Sequence, residues 1–168
     1  MEQEINSCVN NEIRNATFSG KKSYPTFTKL IGVSKEGTIW FISRSYPGSN
    51  NGINLANFAE NNLKSLLSAE EKIDTDQGFK GLDQLSTLTH IQHPNSREEE
   101  IFNREFKRYR VVVEISINQI RKWKICYHKF HSKFLNLEYA IQEHHFIVEI
   151  VAGLVNKFVM PIRKYSNI

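Results

Sequence analysis

The chain has 168 residues, of which 40% are hydrophobic and 24% are charged. These are ordinary values for a globular protein, so they exclude a disordered or fibrous chain. The length allows one sizeable core and is too short for two ordinary domains. The net charge of +4 is mild, and two distant cysteines favour reduced thiols over a disulfide framework.

No run of the sequence approaches the roughly 18 apolar residues that a membrane span requires. The polar residues 1–4 lack the layout of a signal peptide. We therefore expect an intracellular protein with no membrane partner.

The first part of the chain predicts a β-hairpin after a polar start. Residues 1–18 are rich in Asn, and we interpret them as irregular or as the remnant of a strand. β-Branched and aromatic residues dominate 26–34 and 38–46, and the turn composition of 34–37 joins these two runs as a hairpin. Residues 47–52 combine Pro, Gly and Asn, which predicts a loop.

The middle of the chain predicts a helix and then a strand. Asn54 is a plausible N-cap for a helix that ends near Ser68 and carries its leucines on one face. A short strand then leads to Asp76, giving the strand, helix, strand order of a parallel crossover. Residues 84–89 are ambiguous, and 91–94 read as a short edge strand stopped by Pro94.

Two long helices are predicted in the last part of the chain. One begins at Arg97, and the other spans 134–160 and ends at Pro161. Glu114 lies beside the apolar stripe of the first helix. That stripe consists of Phe102, Phe106, Tyr109, Val113, Ile117, Ile120 and Tyr127. The apolar stripe of the last helix consists of Leu137, Ile141, Ile147, Val148, Val151, Leu154, Val155 and Phe158.

Asp76 and Glu114 are the candidate metal ligands. Asp76 follows an apolar approach and precedes a glycine turn, whereas Glu114 lies within a helix. Two carboxylates from separate elements are enough to share a hard cation such as Mg²⁺ or Mn²⁺. The alternatives are a strand-end turn for Asp76, and for Glu114 an ion pair with Arg110 or a bond to Asn118, each one helical turn away.

Basic residues crowd into the segment between residues 97 and 133, which would attract a polyanion such as DNA. The alternative is a solvated helix face that neighbouring glutamates partly neutralise. The candidate phosphate contacts are Lys21, Lys22, Arg44, Arg110, Arg121, Lys122 and Lys124.

Several short motifs, taken in order, carry a family resemblance. They are Ser19-Gly20-Lys21-Lys22, Leu30-Ile31-Gly32-Val33, the run from Ile42 to Ser49, Asp76-Gln77-Gly78-Phe79, the run from Asn103 through Arg110-Val111-Val112-Val113-Glu114, and Lys122-Trp123-Lys124-Ile125. Their order and spacing resemble the DDE endonuclease domain of Harbinger-type and insertion-sequence transposases. The resemblance implies an RNase H-like core that holds two divalent metals with Asp, Asp and Glu and cuts and joins DNA.

Within this resemblance, Asp76 matches the second acid of the family and Glu114 the third. Residues 2–5 resemble the residues directly after the first Asp of the family, so we expect the chain to begin just past that acid and to lack it. Gly52 stands where the family usually carries an Asp. Asp74 and Glu2 are the nearest conceivable substitutes, although neither matches a catalytic position.

The resulting prediction is an α/β fold, an RNase H-like mixed sheet flanked by helices, with its central first strand largely missing. We divide the chain into an irregular remnant (1–18), a DDE endonuclease-like domain (19–160) and a tail (161–168). The expected function is a catalytically impaired, transposase-derived DDE endonuclease that binds DNA and Mg²⁺ or Mn²⁺ in the nucleus or nucleoid. The alternative is a non-enzymatic DNA- or protein-interaction module. Another chain, or a missing amino-terminal portion, would complete the sheet, and residues 2–9 would fill part of the gap.

Overall fold

The computed structural model describes residues 1–5, 11–50, 63, 65–68, 70–75, 87–88, 90–132 and 136–159. The predicted helix from Asn54 lies largely outside these ranges, as do Asp76, Gly52, Pro161 and the tail. Within them, strands and helices combine in an α/β fold. The strands are β1 (Glu2–Glu4), β2 (Phe18–Ser19), β3 (Tyr24–Thr28), β4 (Ile31–Val33), β5 (Ile39–Ile42), β6 (Tyr46–Pro47), β7 (Ile73–Asp74) and β8 (Thr87–Leu88). The helices are α1 (Asn11–Thr17), α2 (Arg97–Arg121), α3 (Lys124–Tyr127) and α4 (Leu137–Phe158).

Strand β3 organises the largest sheet. It pairs antiparallel with β1, with Gln3 opposite Phe27. It also pairs antiparallel with β2 near its start and with β6 near its end. The prediction of an irregular segment over 1–18 is therefore wrong, since this segment contains β1, α1 and the first residue of β2. Its alternative, a strand remnant that fills part of the sheet, is confirmed for residues 2–4.

The predicted hairpin is confirmed, but Lys29 and Leu30 interrupt its first strand. Strand β4 pairs antiparallel with β5, and Gly37 closes the turn with a φ of 92°, a conformation that glycine adopts without strain. Lys29 is buried at this interruption, and its side-chain nitrogen finds hydrogen-bond partners inside the protein. It donates to the carbonyl oxygen of Ser43 at 3.1 Å and contacts Nδ1 of His145 at 2.7 Å.

Helix α2 is capped at its start by Ser96, whose hydroxyl accepts from the backbone N–H of Glu99. It ends at Arg121, and residues 122–123 separate it from α3, so the prediction of one helix reaching Tyr127 is wrong. The buried line also differs from the predicted stripe. It holds Asn103, Phe106, Val112, Ser116 and Ile120, whereas Tyr127 is 71% exposed.

Asn136 caps helix α4 by accepting from two backbone N–H groups, so the helix begins later than the predicted residue 134. Its buried side includes His144, while Phe158, predicted to be buried, is 70% exposed. The main core forms where α2, α3 and α4 cover β5. Its buried members are Ile39, Ile120, Cys126, Val148, Val151, Ala152 and Val155.

The edge strand predicted for residues 91–94 does not form. Strand β8 lies earlier, at Thr87–Leu88, and pairs parallel with β7. The side chain of Asn103 instead holds the backbone of Ile91. The Asn103 amide nitrogen donates to the Ile91 carbonyl oxygen, and the Asn103 side-chain oxygen accepts from the Ile91 N–H, both at 2.9 Å. Asn103 supplies from a helix the bonds that a neighbouring strand would otherwise give.

A buried polar chain joins β1, the hairpin and α4. The Gln3 side-chain amide donates to the carbonyl oxygens of Ile125 and His128, so its oxygen is left to accept from Nε2 of His144 at 3.0 Å. Burial lowers the pKa of His144 to about 3, so its imidazole is neutral. With Nε2 donating to Gln3, Nδ1 accepts from the Ser45 hydroxyl at 2.6 Å.

Two glycines predict opposite effects of an added methyl group. A Cβ on Gly48 would meet the carbonyl oxygens of Thr17 at 2.8 Å and of Thr26 at 3.0 Å, both backbone atoms. We expect Gly48→Ala to lower the free energy of unfolding by about 1–3 kcal/mol through overpacking. A Cβ on Gly153, on an open face of α4, would meet nothing within 4 Å. Gly153→Ala should therefore raise the free energy of unfolding by about 1 kcal/mol. Denaturant titration measures both, and equal stability of the two variants would contradict the packing described around Gly48.

Lys29 predicts how stability depends on pH. Burial lowers its pKa from 10.5 to about 7, so between these values the unfolded chain holds a proton that the folded chain has released. The free energy of unfolding should therefore rise with pH across this window, by at most about 1.4 kcal/mol per pH unit. The neutral amine keeps two N–H groups, which suit its two acceptors.

Lys29→Met should make this rise shallower, as measured by denaturant titration between about pH 7 and 8.5. A smaller rise should remain below pH 8, because burial also lowers the pKa of the Met1 ammonium from 8.0 to about 5. The upper limit matters because burial raises the pKa of Cys126 to about 11, which gives the opposite slope in more alkaline solution. Lys22→Met, at an exposed position, is the matched control and should keep the slope of the unmodified chain. An unchanged slope in Lys29→Met would contradict the expectation.

Candidate metal centre and nucleic-acid interface

A cleft of about 700 Å³ opens between the β4–β5 hairpin, helix α2 and residues 71–75. Most of its lining is apolar, with Leu30 and Phe41 from the hairpin and Phe106 from α2. Charged side chains also lie along it. They are Lys35, Glu36, Glu71, Lys72, Asp74, Arg110 and Glu114.

Strand β7 brings the chain to this cleft at the point where Asp76 follows. Ile73 and Asp74 pair parallel with β8, and the N–H of Thr75 donates to the carbonyl oxygen of Leu88 at 2.9 Å. Thr75 lines the cleft, and its buried hydroxyl has no hydrogen-bond partner within the described part of the chain. Thr75 is thus the last described residue of this segment on the cleft wall, and Asp76, the next residue, lies outside the described ranges.

Glu114 reaches the same cleft from helix α2. The opposite side of the helix is fixed by Ile120, which is fully buried, and by Ser116, whose hydroxyl donates to the carbonyl oxygen of Gly37 at 3.1 Å. Glu114 is exposed, and Arg110, one turn earlier, also lines the cleft. Helix packing against the hairpin turn therefore aims a carboxylate and a guanidinium at one opening.

Asp74 is a second carboxylate in the cleft, and the sequence offered it only as a conceivable substitute. Partial burial raises the pKa of its carboxyl group, while the nearby Lys35 ammonium acts in the opposite direction. Lys35 also lies over the ring of Tyr109, 4.9 Å from its centroid. A cation placed beside Asp74 would favour the ionised form of its carboxyl group and so oppose the effect of burial.

Among the described residues that line the cleft, the anionic donors are the carboxylates of Glu36, Glu71, Asp74 and Glu114, and Thr75 adds a hydroxyl with no hydrogen-bond partner. This set fits a hard cation such as Mg²⁺ or Mn²⁺ better than a softer metal. Among the described residues, no group of three or more His, Cys, Asp or Glu side chains is close enough to hold a metal ion. Asp76 lies outside that comparison, so the pairing of Asp76 with Glu114 stays a prediction.

The candidate phosphate contacts fall into separate places. Lys21 and Lys22 are exposed in the turn after β2, and Arg110 lies in the cleft. Arg44 forms an exposed ion pair with Glu138, with 3.1 Å between nitrogen and oxygen, so it already has a partner. The remaining three are exposed where α2 ends and α3 begins, and the structure brings them together. They are Arg121, Lys122 and Lys124.

Trp40 is an aromatic side chain of the cleft that the sequence did not single out. It is 40% exposed, and its indole lies across Gly32, where an added Cβ would come within 3.0 Å of the ring. Glycine at position 32, opposite Phe41 in the hairpin, is the signal in the sequence for such a packed ring.

A family profile described as DDE superfamily endonuclease matches residues 1–156. The chain belongs to the DDE superfamily endonuclease family. This membership confirms the resemblance and makes the chain a transposase-derived nuclease domain. Members of this DDE endonuclease family act on DNA and generally use divalent metals.

No curated protein and no solved structure shows significant similarity to the chain. In the part of the chain that the structure describes, no helix is long and apolar enough to cross a membrane.

Proposed function

We propose that this DDE endonuclease domain binds a divalent cation, Mg²⁺ or Mn²⁺, through Asp76 and Glu114, and binds DNA alongside it. The observation that carries the proposal is the cleft that Thr75, after strand β7, and Glu114, from helix α2, both line. Asp76 follows Thr75 directly, and Glu114 is the match to the third acid of the family. The RNase H-like arrangement expected from the family would bring two acids together in the same way.

The cation, when bound, would polarise a phosphoryl oxygen and lower the pKa of a coordinated water. The side chains of the chain would do the rest. Asp76 and Glu114 would hold the cation, with Asp74 and the Thr75 hydroxyl next to them. Arg110 would face the DNA phosphate and offset the repulsion between that phosphate and the carboxylates.

The remaining basic residues would position the DNA backbone without reading its sequence. The exposed cations at the end of α2 and in the turn after β2 suit this role. Arg44 would contribute less, because binding phosphate requires it to leave Glu138. The set proposed for phosphate contact is Lys21, Lys22, Arg44, Arg110, Arg121, Lys122 and Lys124.

We further propose that cleavage by these 168 residues is impaired. In-line displacement at phosphorus normally uses two metals about 3.5–4 Å apart, and a third acid helps to bridge them. The sequence offers matches to the second and third acids and none to the first. A site with two ligating carboxylates retains a cation more readily than it assembles the pair of metals that cleavage needs.

The metal site predicts that Mn²⁺ binding depends on both acids. Asp76→Ala and Glu114→Gln should each weaken Mn²⁺ binding by at least about tenfold in calorimetric titration, because each removes a charged oxygen ligand. Glu105→Gln is the matched control, since it removes an exposed carboxylate from the opposite face of the same helix, nine residues away. Equal binding by the unmodified chain and Asp76→Ala would remove the metal proposal.

The impaired site predicts slow nicking of supercoiled DNA. We expect Mn²⁺ to support only weak nicking that Glu114→Gln abolishes, because the remaining carboxylate cannot by itself hold the cation. Gel electrophoresis of a supercoiled plasmid measures this, with Glu105→Gln as the control. Nicking that persists in Glu114→Gln would assign it to a contaminant or to another site.

A non-enzymatic DNA-binding module is the second candidate. The observation that favours it is the group of exposed cations at Arg121, Lys122 and Lys124, which lies outside the cleft lining. DNA binding that falls steeply with salt, yet is indifferent to metal and to both acids, would select this function.

A further inference from the structure

The short segment that follows helix α2 exposes aromatic side chains among cations. Trp123 is 39% exposed and Tyr127 is 71% exposed. Arg121, Lys122 and Lys124 are exposed around them. We call these five residues the basic–aromatic platform.

The platform is built on a fixed backbone. Cys126 and Phe130 are 3% and 4% exposed and anchor the segment in two hydrophobic clusters. The Gln3 amide donates to the carbonyl oxygens of Ile125 at 2.7 Å and of His128 at 2.8 Å. Ile120, which is fully buried directly before the platform, anchors its other end. The platform segment is therefore held on both sides, so its exposed side chains start from a preorganised frame.

The two aromatic residues are spaced for neighbouring stacking partners. The N–H of Tyr127 donates to the carbonyl oxygen of Trp123 at 3.1 Å, which places them one helical turn apart. Residues at that spacing have Cβ atoms about 5–6 Å apart on one face. The ring of Tyr127 also meets that of His128 edge-on, with 5.4 Å between centroids.

The local charge favours an anionic ligand. No Asp or Glu occurs in the sequence between Glu114 and Glu138. Lys129, in the same segment, is already paired with Glu4 at 2.6 Å, so it is not counted in the platform. The platform thus has three cations, one exposed ring between them in sequence and a second exposed ring after them. This combination suits a flexible polyanion that carries planar groups.

We infer that the basic–aromatic platform binds unpaired nucleotides of DNA, stacking their bases on Trp123 and Tyr127 while the cations contact phosphates. Aromatic platforms within cationic grooves bind single strands in this way, because every base has a face to stack. In a duplex those faces are covered by neighbouring base pairs. The inference deepens the proposed function by naming the form of DNA bound, and it rests on that function only for DNA as the ligand.

The chain has two tryptophans, Trp40 in the cleft and Trp123 on the platform, which gives an internal control. Fluorescence would be followed during titration with an oligothymidylate and with a blunt duplex, both in EDTA. We expect the oligothymidylate to quench a larger fraction of the fluorescence in Trp40→Phe than in the unmodified chain, and not to quench Trp123→Phe. The duplex should bind more weakly than the single strand.

Affinity gives the second measurement. Trp123→Ala should weaken oligothymidylate binding by roughly 5- to 150-fold, the range that corresponds to the loss of one stacked base. Phe146→Ala removes an exposed aromatic ring on α4, outside the cleft lining, and should leave the affinity unchanged. A thermal melt of each variant checks that the chain remains folded. Lys122→Ala should lower the salt dependence of binding by about one unit of slope.

Three results would overturn the inference: quenching that follows Trp40, unchanged affinity in Trp123→Ala, or equal affinity for duplex and single strand. The last would reassign the cations to duplex phosphates, and absence of all DNA binding would reassign the rings to a protein partner. Because EDTA removes divalent metal, these outcomes are independent of Mn²⁺ binding by Asp76 and Glu114. Base stacking without Mn²⁺ binding would support the platform and contradict the metal proposal. Mn²⁺ binding without base stacking would support the metal proposal and contradict the platform.

Discussion

The candidate site depends on the packing of helix α2 against the hairpin. Ile120 is fully buried between α4 and β5, and the Ser116 hydroxyl is bonded to the hairpin turn. These contacts set the rotation of the helix about its axis. Once that rotation is fixed, Glu114 and Arg110 both lie on the side of the helix that lines the cleft, because residues one turn apart share a face.

The same core is held together by polar groups that lie inside it. Gln3 and His144 connect the first strand, the last helix and the platform segment through a chain of hydrogen bonds, and Lys29 does the same between the hairpin and α4. Each of these groups is costly to bury alone, so the arrangement is stable only when all partners are present. Interactions of this kind favour one arrangement of elements over others with similar apolar burial.

Two surfaces of different chemistry result. The cleft combines apolar walls with carboxylates, a hydroxyl and a guanidinium, which suits a small hard cation next to a phosphate. The platform has exposed rings and cations and no carboxylate of its own, which suits a longer polyanion. A nuclease needs both kinds of surface, because holding a metal and holding a strand are separate tasks with opposite charge requirements.

The sequence by itself determined the family, the α/β class, the hairpin and both long helices, because motif order, turn residues and apolar periodicity are local properties. It placed Asp76 and Glu114 as matches to family acids, and it recognised the cations near Arg121. Only the tertiary structure decided that residues 2–4 pair with β3, that Lys29 interrupts a strand, that α2 stops at Arg121, and that His144 is buried while Tyr127 and Phe158 are exposed. Those outcomes depend on partners distant in the chain, such as Gln3 with His144 or Ser116 with Gly37, and no local pattern contains such partners.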